Sequence, residues 1–166
     1  MKRHFILLFI SILMSGLFFY IFNLSTPPPG SVSGNGNPML LFIPILVTLF
    51  FSFIFSMIKV IEHFRVSIRA VTITMMAILL HWLVGLTFQR TAFDNYREVL
   101  AEAYQKEWGY VDWYYIEQIT SSLLSVHTNK LYFNLNTYFI FLTLSLFLSL
   151  AYILVKRYAL LCLNET

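Results

Sequence analysis

The sequence contains little charge, and its longest apolar runs contain none. Charged residues make up 11% of the 166 residues, whereas soluble domains have about 25%. Hydrophobic residues make up 58%, and the mean hydropathy is +0.73. This imbalance excludes an ordinary soluble domain and predicts a protein whose main surroundings are the lipid bilayer.

Cysteine and the common catalytic motifs are also scarce. The single cysteine, Cys162, cannot form an internal disulfide framework or a cysteine-based zinc site. The sequence has no Walker loop, dinucleotide fingerprint, nucleophile elbow or Cys-x-x-Cys pair. Its basic residues are scattered beside apolar runs, so a net charge of +3 does not indicate nucleic-acid binding. We expect a non-enzymatic protein without cofactor, metal or nucleic acid.

Four apolar runs approach the ~20 residues that a helix needs to cross a ~30 Å hydrocarbon core. None contains Asp, Glu, Lys or Arg, each of which would cost about 2.5–3.5 kcal/mol at the centre of a span. The runs cover residues 5–24, 39–58, 70–88 and 135–155. They predict an all-α integral membrane protein, a bundle of four transmembrane helices, in which the first run is retained and not cleaved as a signal peptide.

Lys and Arg lie mainly on one side of this predicted bundle. Seven of them lie in the N-terminus, the 59–69 connection and the tail after the fourth span, whereas the 25–38 connection has no charge. The 89–134 connection has four basic and six acidic residues. Because Lys and Arg are retained on the cytoplasmic side, we expect a multi-pass protein of the cell membrane with both termini in the cytoplasm.

The two connections on the other side differ in composition. Residues 25–38 are rich in Pro, Gly, Ser and Asn, which predicts a flexible outer loop. Residues 89–134 have helical periodicity and predict an extracytoplasmic amphipathic hairpin of two helices, separated near Gly109, with Asp112 as the N-cap of the second. The chain then divides into 1–88 with three spans, the hairpin at 89–134, and 135–166 with the fourth span and a cytoplasmic tail.

Each predicted hairpin helix has one apolar face. The first face is formed by Tyr96, Val99, Leu100, Ala103 and Tyr104, and the second by Val111, Tyr115, Ile119, Ser122, Leu123 and Val126. The first helix also has a row of carboxylates at Asp94, Glu98 and Glu102. Carboxylates along one helix face do not converge as calcium ligands must, so this row predicts a solvated surface.

Five aromatic residues lie where the two predicted helices meet, in the stretch KEWGYVDWYY. They are Trp108, Tyr110, Trp113, Tyr114 and Tyr115. Trp and Tyr favour the headgroup layer, so one interpretation is an interfacial anchor. The same residues dominate binding hot spots, so the other interpretation is a surface that recognises a partner protein, a lipid headgroup or a glycan. Glycoside hydrolysis by neighbouring carboxylates would need a rigid cleft, which so short a connection does not predict.

Polar residues within the spans form a second candidate site. Small hydroxyl residues recur every four positions in spans one, two and four, and Ala77, His81 and Gly85 share this spacing in span three. Such residues let helices approach closely and hydrogen-bond across their contact. His81 is the only titratable basic side chain deep in a span, so it either bonds a neighbouring hydroxyl as a structural group or belongs to a polar path.

Two functional hypotheses follow. The first is an accessory, assembly or sensing subunit that recognises a membrane-protein partner, or a second copy of the chain, through its outer hairpin. The alternative is a small transporter or channel subunit that uses a polar seam around His81. Substitution of His81 tests the second hypothesis, and substitution of Trp108 and Trp113 tests the first.

Overall fold

The computed structural model describes residues 1–31 and 36–163. Helix accounts for 84% of the structure, and the described residues contain no strand. The helices are α1 (Lys2–Leu24), α2 (Ile43–Phe64), α3 (Ile68–Trp108), α4 (Trp113–Ser121), α5 (Thr128–Tyr132) and α6 (Leu135–Leu163), with a short 3₁₀ turn at Pro38–Phe42 before α2. Helices α1, α2, α3 and α6 are apolar and long enough to cross a membrane, which confirms the prediction of four such helices.

The four long helices pack in the order α1, α2, α6, α3, and serines occupy their closest contacts. Ser11 and Ser15 of α1 are buried, as are Ser145 and Ser149 of α6. The Ser11 Oγ donates to the Ser52 Oγ of α2 at 3.1 Å. The prediction of small-residue packing faces is therefore confirmed for α1 and α6 and for Ser52 and Ser56 of α2, but not for Thr48 of the same row, which is exposed. Each buried serine leaves room for the neighbouring backbone.

Helix α3 packs on α6 through a face that only partly coincides with the one predicted. Ala77 is exposed, whereas Ile78 and Gly85 are buried. The Trp82 Nε1 donates to the Thr143 Oγ1 at 2.9 Å, and an amide of α6 reaches the Gly85 carbonyl. Of the predicted face, Gly85 is confirmed in the contact with α6, whereas Ala77 lies outside it and Ile78 and Trp82 complete the contact.

A short turn joins α2 to α3 at the end of the bundle that holds the chain termini. Ser67 begins α3 by accepting a hydrogen bond from the Ala70 N–H at 3.2 Å. The Glu62 carboxylate lies 2.5 Å from the Lys156 Nζ of α6, and the Arg157 guanidinium donates to the Val66 carbonyl. The basic 59–69 connection is therefore the ends of two long helices, held to α6 by these contacts.

Helix α3 continues without a break far beyond its predicted span of 70–88. It ends at Gly109, whose φ of 79° is the left-handed conformation that glycine adopts without strain. The hairpin of two separate helices is therefore a wrong prediction for its first arm, which is the continuation of α3. We call residues 89–134 the cap; it comprises this second half of α3 together with α4 and α5.

The described parts of the 25–38 connection, residues 25–31 and 36–38, are not the free loop that its composition predicts. Asn37 and Asn129 exchange hydrogen bonds between their amides, at 2.7 and 3.1 Å, and Asn129 also donates to Ser25 at 2.9 Å. The Tyr104 hydroxyl donates to the Ser31 carbonyl. The described part of this connection therefore lies against the cap and is held at both ends by one buried asparagine.

Candidate functional site

A small apolar core attaches α4 to the second half of α3. It is formed by Leu100, Ala101 and Tyr104 from α3 with Ile116 and Ile119 from α4, and each is at most 9% exposed. Burial of such a side chain stabilises a fold by about 1.5–3 kcal/mol. The predicted apolar faces are thus confirmed at Leu100, Tyr104 and Ile119.

Tyr96, Val111 and Tyr115 also pack against this core, and Val126 is buried, but two apolar members of these predicted faces are exposed. Val99 is 46% exposed and Leu123 is 60% exposed. Leu123 lies outside the helical contact because α4 ends at Ser121, earlier than the periodicity predicted. The apolar face of α4 is correspondingly shorter than the sequence indicated.

Capping contacts and one side-chain bond fix the turn between α3 and α4. Gly109 ends α3, and the Asp112 carboxylate accepts a hydrogen bond from the Tyr115 N–H at 3.0 Å, so the predicted N-cap is confirmed. The Arg97 Nε donates to the Thr120 Oγ1 at 2.9 Å, and Thr120 is fully buried. Because both helix ends are capped and α4 is held along its length, the turn is a well-defined platform.

Four of the five aromatic residues project from this platform. Trp108, Tyr110, Trp113 and Tyr114 are 46%, 57%, 57% and 72% exposed. Tyr115 is half-buried, and its ring lies 5.8 Å from the ring of Tyr104 in the cap core. We call these four exposed residues the aromatic patch. Tyr115 packs against the cap core and is not part of the patch.

Trp108 links the patch to the cap core. Its ring lies 5.6 Å from that of Tyr104 and 6.4 Å from that of Tyr110, distances typical of aromatic pairs. Glu107, which precedes Trp108, and Asp112, which precedes Trp113, are also exposed. Rigid rings with carboxylates at their edge suit recognition of a partner surface that is both apolar and basic.

A buried tyrosine–histidine pair lies deeper in the cap. The Tyr96 hydroxyl is 3.1 Å from the His127 Nδ1, and His127 is 1% exposed. Burial raises the pKa of Tyr96 to about 12 and lowers the pKa of His127 from its ordinary value. Both groups are therefore neutral at neutral pH, as a buried hydrogen-bonded pair requires. His127 was not singled out from the sequence, because its partner lies 31 residues away.

Acidification should destabilise the cap through His127. The unfolded chain binds a proton below about pH 6.5, whereas burial lowers the pKa of the folded group. The stabilisation is thus present above that pH and is lost as pH falls towards the lowered value. Thermal unfolding in detergent at pH 7.5 and 5.5 measures this loss of stability. The loss between the two pH values should be smaller in His127→Gln than in the unmodified chain. In His63→Gln, which changes an exposed histidine, it should equal that of the unmodified chain. If His127→Gln lost as much stability as the unmodified chain, His127 would not be the cause of the pH dependence.

His81 lies far from the patch along α3. Trp108 is 27 residues further along the same helix, about 40 Å away at 1.5 Å per residue. The buried Nε2 of His81 has no hydrogen-bond partner among the described residues, so the expected bond to a serine is not formed there. The serines lie in the contacts of α1, α2 and α6, and the transporter alternative stays a prediction.

The described fold has the character of a membrane protein: it is all-helical, with four apolar helices of sufficient length. Comparison with known proteins adds no family to this class, since no family model, curated protein or solved structure matches the chain.

Proposed function

We propose that this protein is a non-enzymatic, multi-pass accessory subunit of the cell membrane that recognises another membrane protein through the aromatic patch. The observation that carries the proposal is the display of two Trp and two Tyr side chains on a capped, packed platform. Exposed apolar clusters of this kind mark interaction sites, and Trp and Tyr contribute most to binding energy at such sites.

The distribution of charge supports a cap outside the cytoplasm. The end of the bundle opposite the cap holds seven Lys and Arg residues; Lys59 and Lys156 pair with Glu62 there, and Arg157 donates to the Val66 carbonyl. Positive residues are retained in the cytoplasm during insertion. Both termini are then cytoplasmic, and the patch faces the opposite side of the membrane.

The length of α3 favours recognition over anchoring. Trp108 lies 20 residues beyond Phe88, which places it about 30 Å along the helix from the end of the predicted span. A tilt of ~40°, the upper end of the usual range, still leaves about 23 Å, whereas the headgroup layer is only about 5–8 Å thick on each side. Charged residues from Arg90 to Lys106 oppose a deeper position of the helix. The patch therefore lies beyond the layer in which Trp and Tyr anchors reside.

Tryptophan fluorescence distinguishes these two interpretations. In a Trp82→Phe chain, emission comes from Trp108 and Trp113, and we expect little quenching by brominated phosphatidylcholine vesicles because both rings lie far from the acyl chains. The matched chain, Trp108→Phe with Trp113→Phe, retains Trp82 within the span and should be quenched strongly. Comparable quenching of both chains would place the patch in the membrane surface and overturn the recognition proposal.

Photocrosslinking tests for the partner itself. Tyr114 is the most exposed member of the patch, at 72%, and Leu124 is a comparably exposed control in the same cap, at 68%. A photoreactive benzoylphenylalanine at position 114 should give one discrete crosslinked protein in native membranes, and the same residue at position 124 should not. A second copy of the chain as the product would identify a homo-oligomer. The absence of a protein product at position 114 would refute the proposal.

A further inference from the structure

A cleft of about 760 Å³ lies between α1 and α3, beside the junction of α5 and α6. It exists because α1 packs mainly on α2 and the span of α3 packs on α6, so that α1 and α3 have little direct contact. Its volume lies within the ~300–1,000 Å³ typical of small-molecule sites.

Apart from Asn134 and Asn136 on the inner wall, the lining of the cleft changes from apolar to polar from Phe19 to Asn23 along α1 and from Phe88 to Asn95 along α3. Phe19, Phe88 and Leu135 line the apolar end, at the ends of the spans nearest the cap. Asn23 and Asn95 line the polar end. Asn95 is seven residues beyond Phe88, about 10 Å along the helix, which covers the thickness of the headgroup layer. The gradient matches a molecule with an acyl chain and a polar headgroup.

One charge stands at the polar end of the cleft. Lys130 is the single charged residue among the described lining residues. Neither it nor the side chains of Asn23 and Asn95 has a hydrogen-bond partner in the described part of the chain. The deeper amides differ, since Asn136 donates to the Gly85 carbonyl and to Gln89 and so fixes the wall. The three free donors, one of them cationic, come from three helices and suit an anionic oxygen group such as a phosphate.

We propose that this cleft binds one anionic phospholipid from the leaflet nearest the cap. The phosphate lies at Lys130, within reach of the Asn23 and Asn95 amides, and an acyl chain lies along Phe19 and Phe88. The site is separate from the aromatic patch, and it requires only that the four long helices cross a bilayer. It adds a lipid ligand to a protein whose proposed partner binds elsewhere.

Electron paramagnetic resonance of spin-labelled lipids tests the proposal on the full chain in phosphatidylcholine vesicles. We expect spin-labelled phosphatidylglycerol to be immobilised with about fivefold preference over spin-labelled phosphatidylcholine, the effect of one basic residue. Lys130→Gln should remove most of this preference. Lys106→Gln removes an exposed lysine elsewhere in the cap and should retain the preference for phosphatidylglycerol. This variant controls for the general attraction between basic residues and anionic lipid.

A second pair of variants tests the cleft by shape. Ala92 lines the cleft, whereas Ala77 lies on an exposed face of the same helix. Ala92→Phe should fill the cleft and reduce the immobilised phosphatidylglycerol, and Ala77→Phe should not. Equal immobilisation of both lipids by the unmodified chain would mean annular lipid only, and it would overturn the proposal. A preference that survives both Lys130→Gln and Ala92→Phe would overturn it as well.

Discussion

A chain carrying Trp108→Ala and Trp113→Ala should bind its partner about 30- to 1,000-fold more weakly than the unmodified chain, a loss of about 2–4 kcal/mol. The two rings lie on either side of the turn that joins α3 to α4, and they are 46% and 57% exposed. Truncation removes the large rigid surface that a partner would cover. The fold should persist, because the apolar core that holds α4 contains neither ring.

The measurement is the yield of the partner crosslink from a photoreactive residue at Tyr114, compared at equal protein levels in native membranes. Leu123→Ala with Leu124→Ala is the matched control, because it also truncates two exposed apolar side chains of the cap, at 60% and 68%. The tryptophan variant should lose the crosslink and the leucine variant should keep it. Equal yields from both would show that the patch does not recognise the partner.

Gly85→Leu should destabilise the bundle by about 2–6 kcal/mol, because it separates α3 from α6. A Cβ at this position would lie 3.2 Å from the Asn136 Oδ1 and 3.2 Å from the Ile140 Cδ1, and leucine adds three more carbons. Overpacking costs about 1–3 kcal/mol. The hydrogen bonds from Asn136 to the Gly85 carbonyl and from Trp82 to Thr143 contribute about 0.5–1.5 kcal/mol each and would be strained or lost.

Unfolding of the purified chain in mixed micelles measures this effect. Ala77→Leu is the matched control, since it adds the same kind of side chain to an exposed position two turns earlier on α3. We expect Ala77→Leu to unfold like the unmodified chain and Gly85→Leu to unfold at lower denaturant concentration. Equal stability of the two variants would show that α3 does not depend on close approach at Gly85.

The four apolar helices were predictable because their runs contain no charged residue, and each charged residue at the centre of a span would raise the free energy of insertion into a bilayer. The exposure of the aromatic patch was predictable because its Trp and Tyr residues lie next to charged residues and next to Gly109, which ends a helix. The continuity of α3 was not predicted, although a signal was present. The composition changes at Gln89 from apolar to charged, but no Gly or Pro follows before Gly109, so nothing in the sequence ends the helix.

The contacts that complete the cap could not be predicted from local patterns. Asn37 and Asn129 are 92 residues apart, and the composition around Asn37 predicted a flexible loop. Likewise Thr120 and His127 have ordinary neighbours in sequence, and only the fold places them against Arg97 and Tyr96. Polar residues in a connection are informative only when their partners are known, because the same amide that suits a loop also forms a buried bond.

Labelling with a membrane-impermeant thiol reagent in intact cells tests the proposed topology, in which four crossings place the patch on the side of the membrane opposite both termini. In a Cys162→Ser chain, Tyr114→Cys reports on the patch and His63→Cys reports on the last turn of α2, where position 63 is exposed. We predict that position 114 reacts in intact cells and that position 63 reacts only after lysis. Reaction at position 63 in intact cells, or protection of position 114 until lysis, would contradict the account.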